Sequence, residues 1–330
     1  ASDPSRECIL RRAVSPIMKA SKKTGLAILF AALAGCSTNP MTGRSQLSLV
    51  SEKSEIAQAK SAYTQELAPW DKKGKVNNNP ALRARVDGIT NRLVAQAIRY
   101  RPDSAKWDWQ VAVIDDPETL NAYCLPGGRM AIYTGLINKL NATDDEIAQV
   151  MGHEIGHALA NHGAEKMSNA VLAQGVVVVA AAASGDKHQN AVMAGGTALA
   201  QLGWLLPNSR GAETEADRIG IEIAARAGFD PAAAVSLWKK MMAANGKGPP
   251  QFLSTHPSPT TRIKALSALV PHMQPLYAEA SKTSVGLPAR MVDNVREVTA
   301  GGTAPAPKAL TLIPIPSGDA GKDSAGKDSR

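Results

Sequence analysis

The tightest chemical signal in the chain is His153-Glu154-Ile155-Gly156-His157. On a helix, positions i and i+4 lie one above the other on the same face, so both imidazoles can reach one metal ion. Glu154 projects beside them, where its carboxylate can take a proton from water at the metal. Fifty-six residues after His157 stands Glu213-Thr214-Glu215-Ala216-Asp217. Glu213 and Asp217 are again i and i+4. One carboxylate can bind the metal while the other accepts a hydrogen bond from a ligand imidazole, a support that metal-bound histidines usually have. Glu215 lies about 200° around the helix from Glu213 and is expected to face elsewhere. Two neutral imidazoles and a carboxylate, with a fourth position open, suit zinc, and the expectation is one Zn2+ per chain.

These residues need rigid elements to hold them. Thr143-Asp144-Asp145-Glu146 is a capping box, which predicts a helix running to about Asn161 with the histidines inside it. Asn208 or Ser209 caps a second helix, closed by Gly228, that carries Glu213 and Asp217. A further helix starts at Asp230-Pro231, with Asp as the cap and Pro in the first position. Helical spacing also marks 51–68 and 80–99, where Leu82, Val86, Ile89, Leu93 and Ala97 recur at three or four. Residues 109–114 alternate and are rich in β-formers, and Arg129–Tyr133 reads as a second strand after the turn at 126–128. Residues 169–206 hold two apolar runs. They read as two buried or surface-lying helices, with a membrane-inserted hairpin as the alternative. Pattern is lost from Val270, and 301–330 is low-complexity and expected to be disordered. Cys124 reads as a small buried apolar residue, and His162 and His188 as solvent-facing.

The chain has 330 residues, 44% hydrophobic and 20% charged, which is globular composition and excludes wholesale disorder. Its net charge of +8 is unevenly placed. Six Lys/Arg against two acids lie before Cys36, leaving +4 on the remainder. A nucleic-acid partner is therefore not expected, because much of the basicity belongs to a targeting segment. That segment has a basic start at Met18-Lys19, an apolar run at 25–35 too short to span a bilayer, and Leu33-Ala34-Gly35-Cys36 at its end. The last four residues resemble the bacterial lipobox, in which the Cys thiol receives lipid. The expected organisation is a signal segment at 1–35 with its true start at Met18, a lipidated tether at 36–50, a catalytic domain at 51–270 and an extension at 271–330. With Cys36 lipidated, Cys124 has no partner for a disulfide and cannot alone form a thiolate zinc site. By resemblance to Gram-negative lipoproteins, a residue other than Asp after the Cys, here Ser37, implies the outer membrane, and the expected location of the domain is the periplasm.

Three stretches, HEIGHALANH, SRGAETEADRIG and STHPSPTTRIKAL, resemble the gluzincin peptidases related to the CAAX prenyl protease and the HtpX heat-shock protease. The likeness is strongest to their periplasmic lipoprotein branch, the BepA- and LoiP-like proteins. It runs from Asn39-Pro40-Met41-Thr42-Gly43 to Leu266 and includes Asn121-Ala122 and Leu125-Pro126-Gly127-Gly128. The resemblance implies zinc on His153, His157 and Glu213, with Glu154 as general base and acid. It implies an α+β, mainly α, zincin-like metalloprotease domain whose small β-sheet has an edge strand flanking the active-site helix. That edge strand would hold an extended peptide by backbone pairing, and Arg129, Met130, Ala131, Ile132 and Tyr133 match it. No TPR-like repeats follow, unlike in BepA. The implied activity is hydrolysis of unfolded or extended polypeptides, misfolded or misassembled envelope proteins among them. A chaperone-like assembly factor using the same groove for binding is the alternative, and the intact Glu154 favours cleavage.

His256 lies in Thr255-His256-Pro257-Ser258-Pro259, a motif shared with the same family. It can donate to the oxyanion of the tetrahedral intermediate, swing onto zinc as a fourth ligand and exclude water, or be a loop His held by prolines. Arg262 is a carboxylate partner for Asp217 or a solvated helix residue.

Overall fold

The computed structural model describes residues 36–183, 208–244, 252, 256, 259–282 and 310–315. A short antiparallel pair comes first, β1 (Cys36–Thr38) and β2 (Ser45–Leu47), joined by the turn at 39–44. Two long helices follow, α1 (Glu52–Asp71) and α2 (Pro80–Tyr100). Ser51 caps the first. Asn79 caps the second, with Pro80 in the first turn, where a missing N–H costs nothing.

A three-stranded sheet comes next: β3 (Gln110–Ile114), β4 (Ala122–Leu125) and β5 (Arg129–Tyr133). Its order is β3-β5-β4, with β5 parallel to β3 and antiparallel to β4. Val111, Val113, Met130 and Ile132 face the main core. Ala112, Ile114, Ala131 and Tyr133 face the other way, onto Tyr63 and Leu67 of α1. Both faces are covered, so β3 and β5 are buried at every residue.

This topology corrects the expected substrate strand. Arg129, Met130, Ala131, Ile132 and Tyr133 form the central strand, paired on both sides from Gln110↔Arg129 to Ala122↔Ile132. Pairing with β3 on one side and β4 on the other leaves that strand no free edge to offer a peptide. The edge strand that flanks the helix of the histidines is β4, whose residues alternate between buried and half-buried.

After α3 (Thr134–Lys139) comes α4 (Asp144–Leu159), opened by the Thr143–Glu146 capping box with both reciprocal hydrogen bonds in place. Then follow α5 (His162–Ala183), α6 (Arg210–Arg226), α7 (Ala232–Ala243) and α8 (Pro259–Lys282). Helix α6 is capped by Ser209 and closed at Gly228, where φ is +78°. Helix α7 starts one residue later than the sequence suggests; Asp230 still accepts from the Ala232 amide at 2.9 Å.

Helices α4 and α6 meet backbone to backbone. A Cβ on Gly220 would stand 2.6 Å from the His153 nitrogen, and one on Gly156 would stand 3.0 Å from the Ala216 carbonyl oxygen. Side chains there would push the helices apart. Their absence lets the first turns of α6 reach the histidines of α4.

Two other expectations change. Helix α8 continues through 270 to Lys282 despite Pro271 and Pro275, because Leu266 and Met273 are buried among the helices it packs on. Residues 310–315, inside the tail expected to be disordered, are docked. The Leu310 amide donates to the Arg99 carbonyl at 2.7 Å, and the Ile313 amide donates to the Glu222 carboxylate at 3.1 Å. Leu310, Leu312, Ile313 and Ile315 pack against the core, an apolar insert that the surrounding Gly, Ser and Lys conceal in composition. The first apolar run of 169–206 falls largely in α5; residues 184–207 and His188 lie outside the described residues. Among the described residues, no helix is long and apolar enough to cross a membrane.

Candidate metal centre

His153 and His157 present Nε2 to one another at 3.0 Å. Glu213 completes a triangle, with one oxygen 3.6 Å from His153 Nε2 and the other 3.4 Å from His157 Nε2. His256 brings a fourth ligand atom, and all four lie within 4.8 Å of one another. All four residues are buried. Tetrahedral ligands about 2.0–2.1 Å from zinc stand about 3.3 Å apart, so the 3.0, 3.6 and 3.4 Å separations among His153, His157 and Glu213 suit that ion. Two imidazole nitrogens facing each other at hydrogen-bond distance need a proton or a cation between them. A carboxylate on the same spot favours the cation.

The protonation states agree with the donor set. Burial, with Arg262 and His157 adding to it, holds His153 well below the usual histidine range, so its lone pair is available. Burial alone would raise Glu213, but His157, His256 and His153 outweigh it and hold the carboxyl below its ordinary range.

Asp217 and Arg262 back the cluster. An Asp217 oxygen and the Arg262 NH2 each lie 3.0 Å from His153 Nδ1, on the ring edge opposite the Nε2 that faces the cluster. Arg262 Nε donates to Asp217 at 2.7 Å and its NH1 to Glu213 at 2.5 Å. The guanidinium lies over the Trp238 ring, 4.1 Å from its centroid. Arg262 is thus a buried carboxylate partner, to Glu213 as well as Asp217.

Glu154 is buried on the same helix, and its Oε1 has no hydrogen bond among the described residues. Burial and the charge of Glu213 raise it well above the carboxylate range, opposed by Arg262 and by a hydrogen bond from the Cys124 backbone amide. That amide lies on β4. His256 stacks on Phe252 with ring centroids 4.2 Å apart, and its Nδ1 stands 3.0 Å from the Phe252 carbonyl oxygen. Burial lowers it to about 3, with His157 and Arg262 contributing and Glu213 opposing.

His162 does not face solvent: it is only 4% exposed. Its Nδ1 lies 2.8 Å from His157 Nδ1, and its Nε2 lies 3.1 Å from Glu215. Glu215 faces away from the cluster, yet reaches it through His162. The signal in the sequence was HALANH: five residues after His157, one turn beyond a helix end, a side chain returns to the helix it has left.

The pattern of peptidase family M48 matches residues 80–270. The mitochondrial metalloendopeptidase OMA1 of Saccharomyces cerevisiae is 30% identical over 291 residues, which cover 82% of this chain and 81% of that protein. The Schizosaccharomyces pombe OMA1 is 32% identical over 71% of this chain and 66% of that protein. The beta-barrel assembly-enhancing protease of Escherichia coli K12 is 29% identical over 62% of this chain and 42% of that protein. The expected Gram-negative periplasmic, outer-membrane location is corrected by these comparisons, because the yeast, plant and animal relatives are mitochondrial proteins. With a metal-fitting cluster on paired helices and a pattern match over more than half its length, the chain belongs to peptidase family M48 and is a zinc metalloendopeptidase.

Proposed function

We propose that the chain cleaves unfolded or misassembled polypeptides held in extended form along β4, with zinc on His153, His157 and Glu213 and with Glu154 as general base and acid. Bound there, zinc supplies Lewis acidity, which acidifies water and polarises a carbonyl oxygen. Glu154 takes a proton from the attacking water and returns it to the leaving amine. Burial raises the affinity of that carboxylate for a proton, which suits a group that takes one from water. Asp217 and Arg262 keep the His153 ring and the Glu213 carboxylate in place.

One observation carries this reading. The edge strand β4, which has a single partner among the described residues, packs along the helix that carries Glu154. Backbone pairing along such an edge is tolerant of sequence, which suits unfolded substrates.

His256 serves this centre as a movable fourth ligand. Its Nδ1 can donate to the Phe252 carbonyl, which leaves a lone pair on Nε2 near the cluster. Lipid attachment at Cys36 also belongs to the reading, supported by the small residues before it, and Cys36→Ala should then release the protein from membranes.

The test is digestion of casein by the purified chain. New peptide termini should appear, vanish with a chelator and return with zinc. Stable casein binding without cleavage would favour the chaperone-like alternative.

A further inference from the structure

The turn at 39–44 lies far from the histidines in sequence and meets them in space. Glu215, the carboxylate that reaches His162, is held from its other side by three residues of that turn. Arg44 Nε donates to it at 2.8 Å, the Thr42 hydroxyl donates to it, and the Asn39 amide donates at 3.5 Å. Arg44 also donates to both oxygens of Glu165, at 2.9 and 2.5 Å. The turn itself is closed by Asn39, whose side-chain oxygen accepts from the Met41 and Thr42 amides and whose side-chain nitrogen donates to the Ala160 carbonyl.

Hydrogen-bond accounting gives this chain one direction. Glu215 can only accept, so His162 carries its proton on Nε2 and donates at 3.1 Å. A neutral His162 then has a bare Nδ1, which accepts from His157 Nδ1 at 2.8 Å. His157 with its proton on Nδ1 has its lone pair on Nε2, the atom that faces His153 and Glu213. Each bond therefore has one donor and one acceptor, and the chain ends in the lone pair a metal needs.

We propose that His162 and Glu215 are positioning residues for the metal ligand His157, and that the turn at 39–44 is the clamp that holds them. Carboxylate support of a ligand histidine is usually direct, and at His153 an Asp217 oxygen stands 3.0 Å from Nδ1. Here a second imidazole is interposed, which extends the reach of the support to the β1–β2 hairpin. The hairpin is thereby part of the metal centre: a pull on it is felt as a change in zinc affinity.

The proposal rests on His157 being a zinc ligand, so the experiment carries a control for that. Zinc dissociation constants are measured by chelator competition on the full chain. His157→Ala should abolish tight binding; if it does not, the ligand assignment fails. Given that loss, His162→Phe, which keeps a ring but neither hydrogen bond, should weaken zinc binding about 10- to 100-fold. Glu215→Leu should weaken it comparably, whereas Glu215→Gln, whose amide oxygen still accepts from His162, should stay near the wild-type value. Arg44→Gln should weaken binding by a smaller factor. A packing role would treat Leu and Gln at 215 alike, and that result would overturn the proposal. Wild-type affinity in folded His162→Phe or, where that variant does not fold, in Glu215→Leu would overturn it as well, and wild-type affinity in Arg44→Gln would remove the clamp.

Discussion

Nε2 of His256 lies 3.4 Å from Oε1 of Glu154, so the proposed base and the proposed fourth ligand face each other across the cluster. With Nδ1 donating to Phe252, Nε2 has no proton to offer an oxyanion unless the ring becomes charged, and burial opposes that charge. His256→Ala is therefore expected to raise casein cleavage with zinc content unchanged. A fall of about 10²–10³ in rate would assign the oxyanion role instead. An unchanged rate would assign neither.

The histidine helix was legible because local rules agreed with the tertiary demand. A capping box fixed its start, and i, i+4 spacing fixed which residues shared a face. Glu213 and Asp217 were legible for the same reason. The sheet order was not, since periodicity marks strands but not their neighbours, and the short β4 has no run long enough to show. His162 was missed because its partners, His157 and Glu215, come from a helix it follows and from one 53 residues later. The docking of 310–315 was hidden by the polar composition around it.

The edge strand makes a prediction about substrates. If β4 holds the peptide through backbone pairing, methylating one backbone amide near the scissile bond removes a donor. Each lost hydrogen bond should raise KM by about two- to tenfold. Side-chain changes at the same position should matter less. Kinetics on a matched peptide series checks this, and equal KM values across it would argue against β4.

Arg262 bridges two buried carboxylates, Glu213 and Asp217. Arg262→Leu leaves both without that cation, a change that typically costs about 3–5 kcal/mol. Zinc replaces part of the lost charge. The fall in Tm should therefore be greater for chelator-treated protein than for zinc-loaded protein, as thermal unfolding of both forms would show.

Glu55 supplies a pH dependence away from the metal. It is fully buried on α1, and neither carboxylate oxygen has a hydrogen bond among the described residues. Burial, with the charge of Glu52 adding to it and Arg101 opposing, raises its pKa to about 8. The folded chain then holds a proton there that the unfolded chain releases above its ordinary pKa, 4.5. Stability is full below that value and falls as pH rises to about 8. Glu55→Gln removes the ionisation. Its Tm should exceed the wild-type value by about 5 °C or more at pH 8.5, and the difference should shrink at pH 5.

The central claim is that Glu154 moves the proton while His153, His157 and Glu213 hold the metal. Glu154→Gln separates these roles, since the amide keeps the shape of the side chain and cannot accept the proton. Casein cleavage and zinc content should be measured on the same preparation of this variant. The account predicts near-stoichiometric zinc with cleavage reduced by about 10²–10⁴. Near-normal cleavage with zinc bound, or loss of the zinc itself, would contradict it.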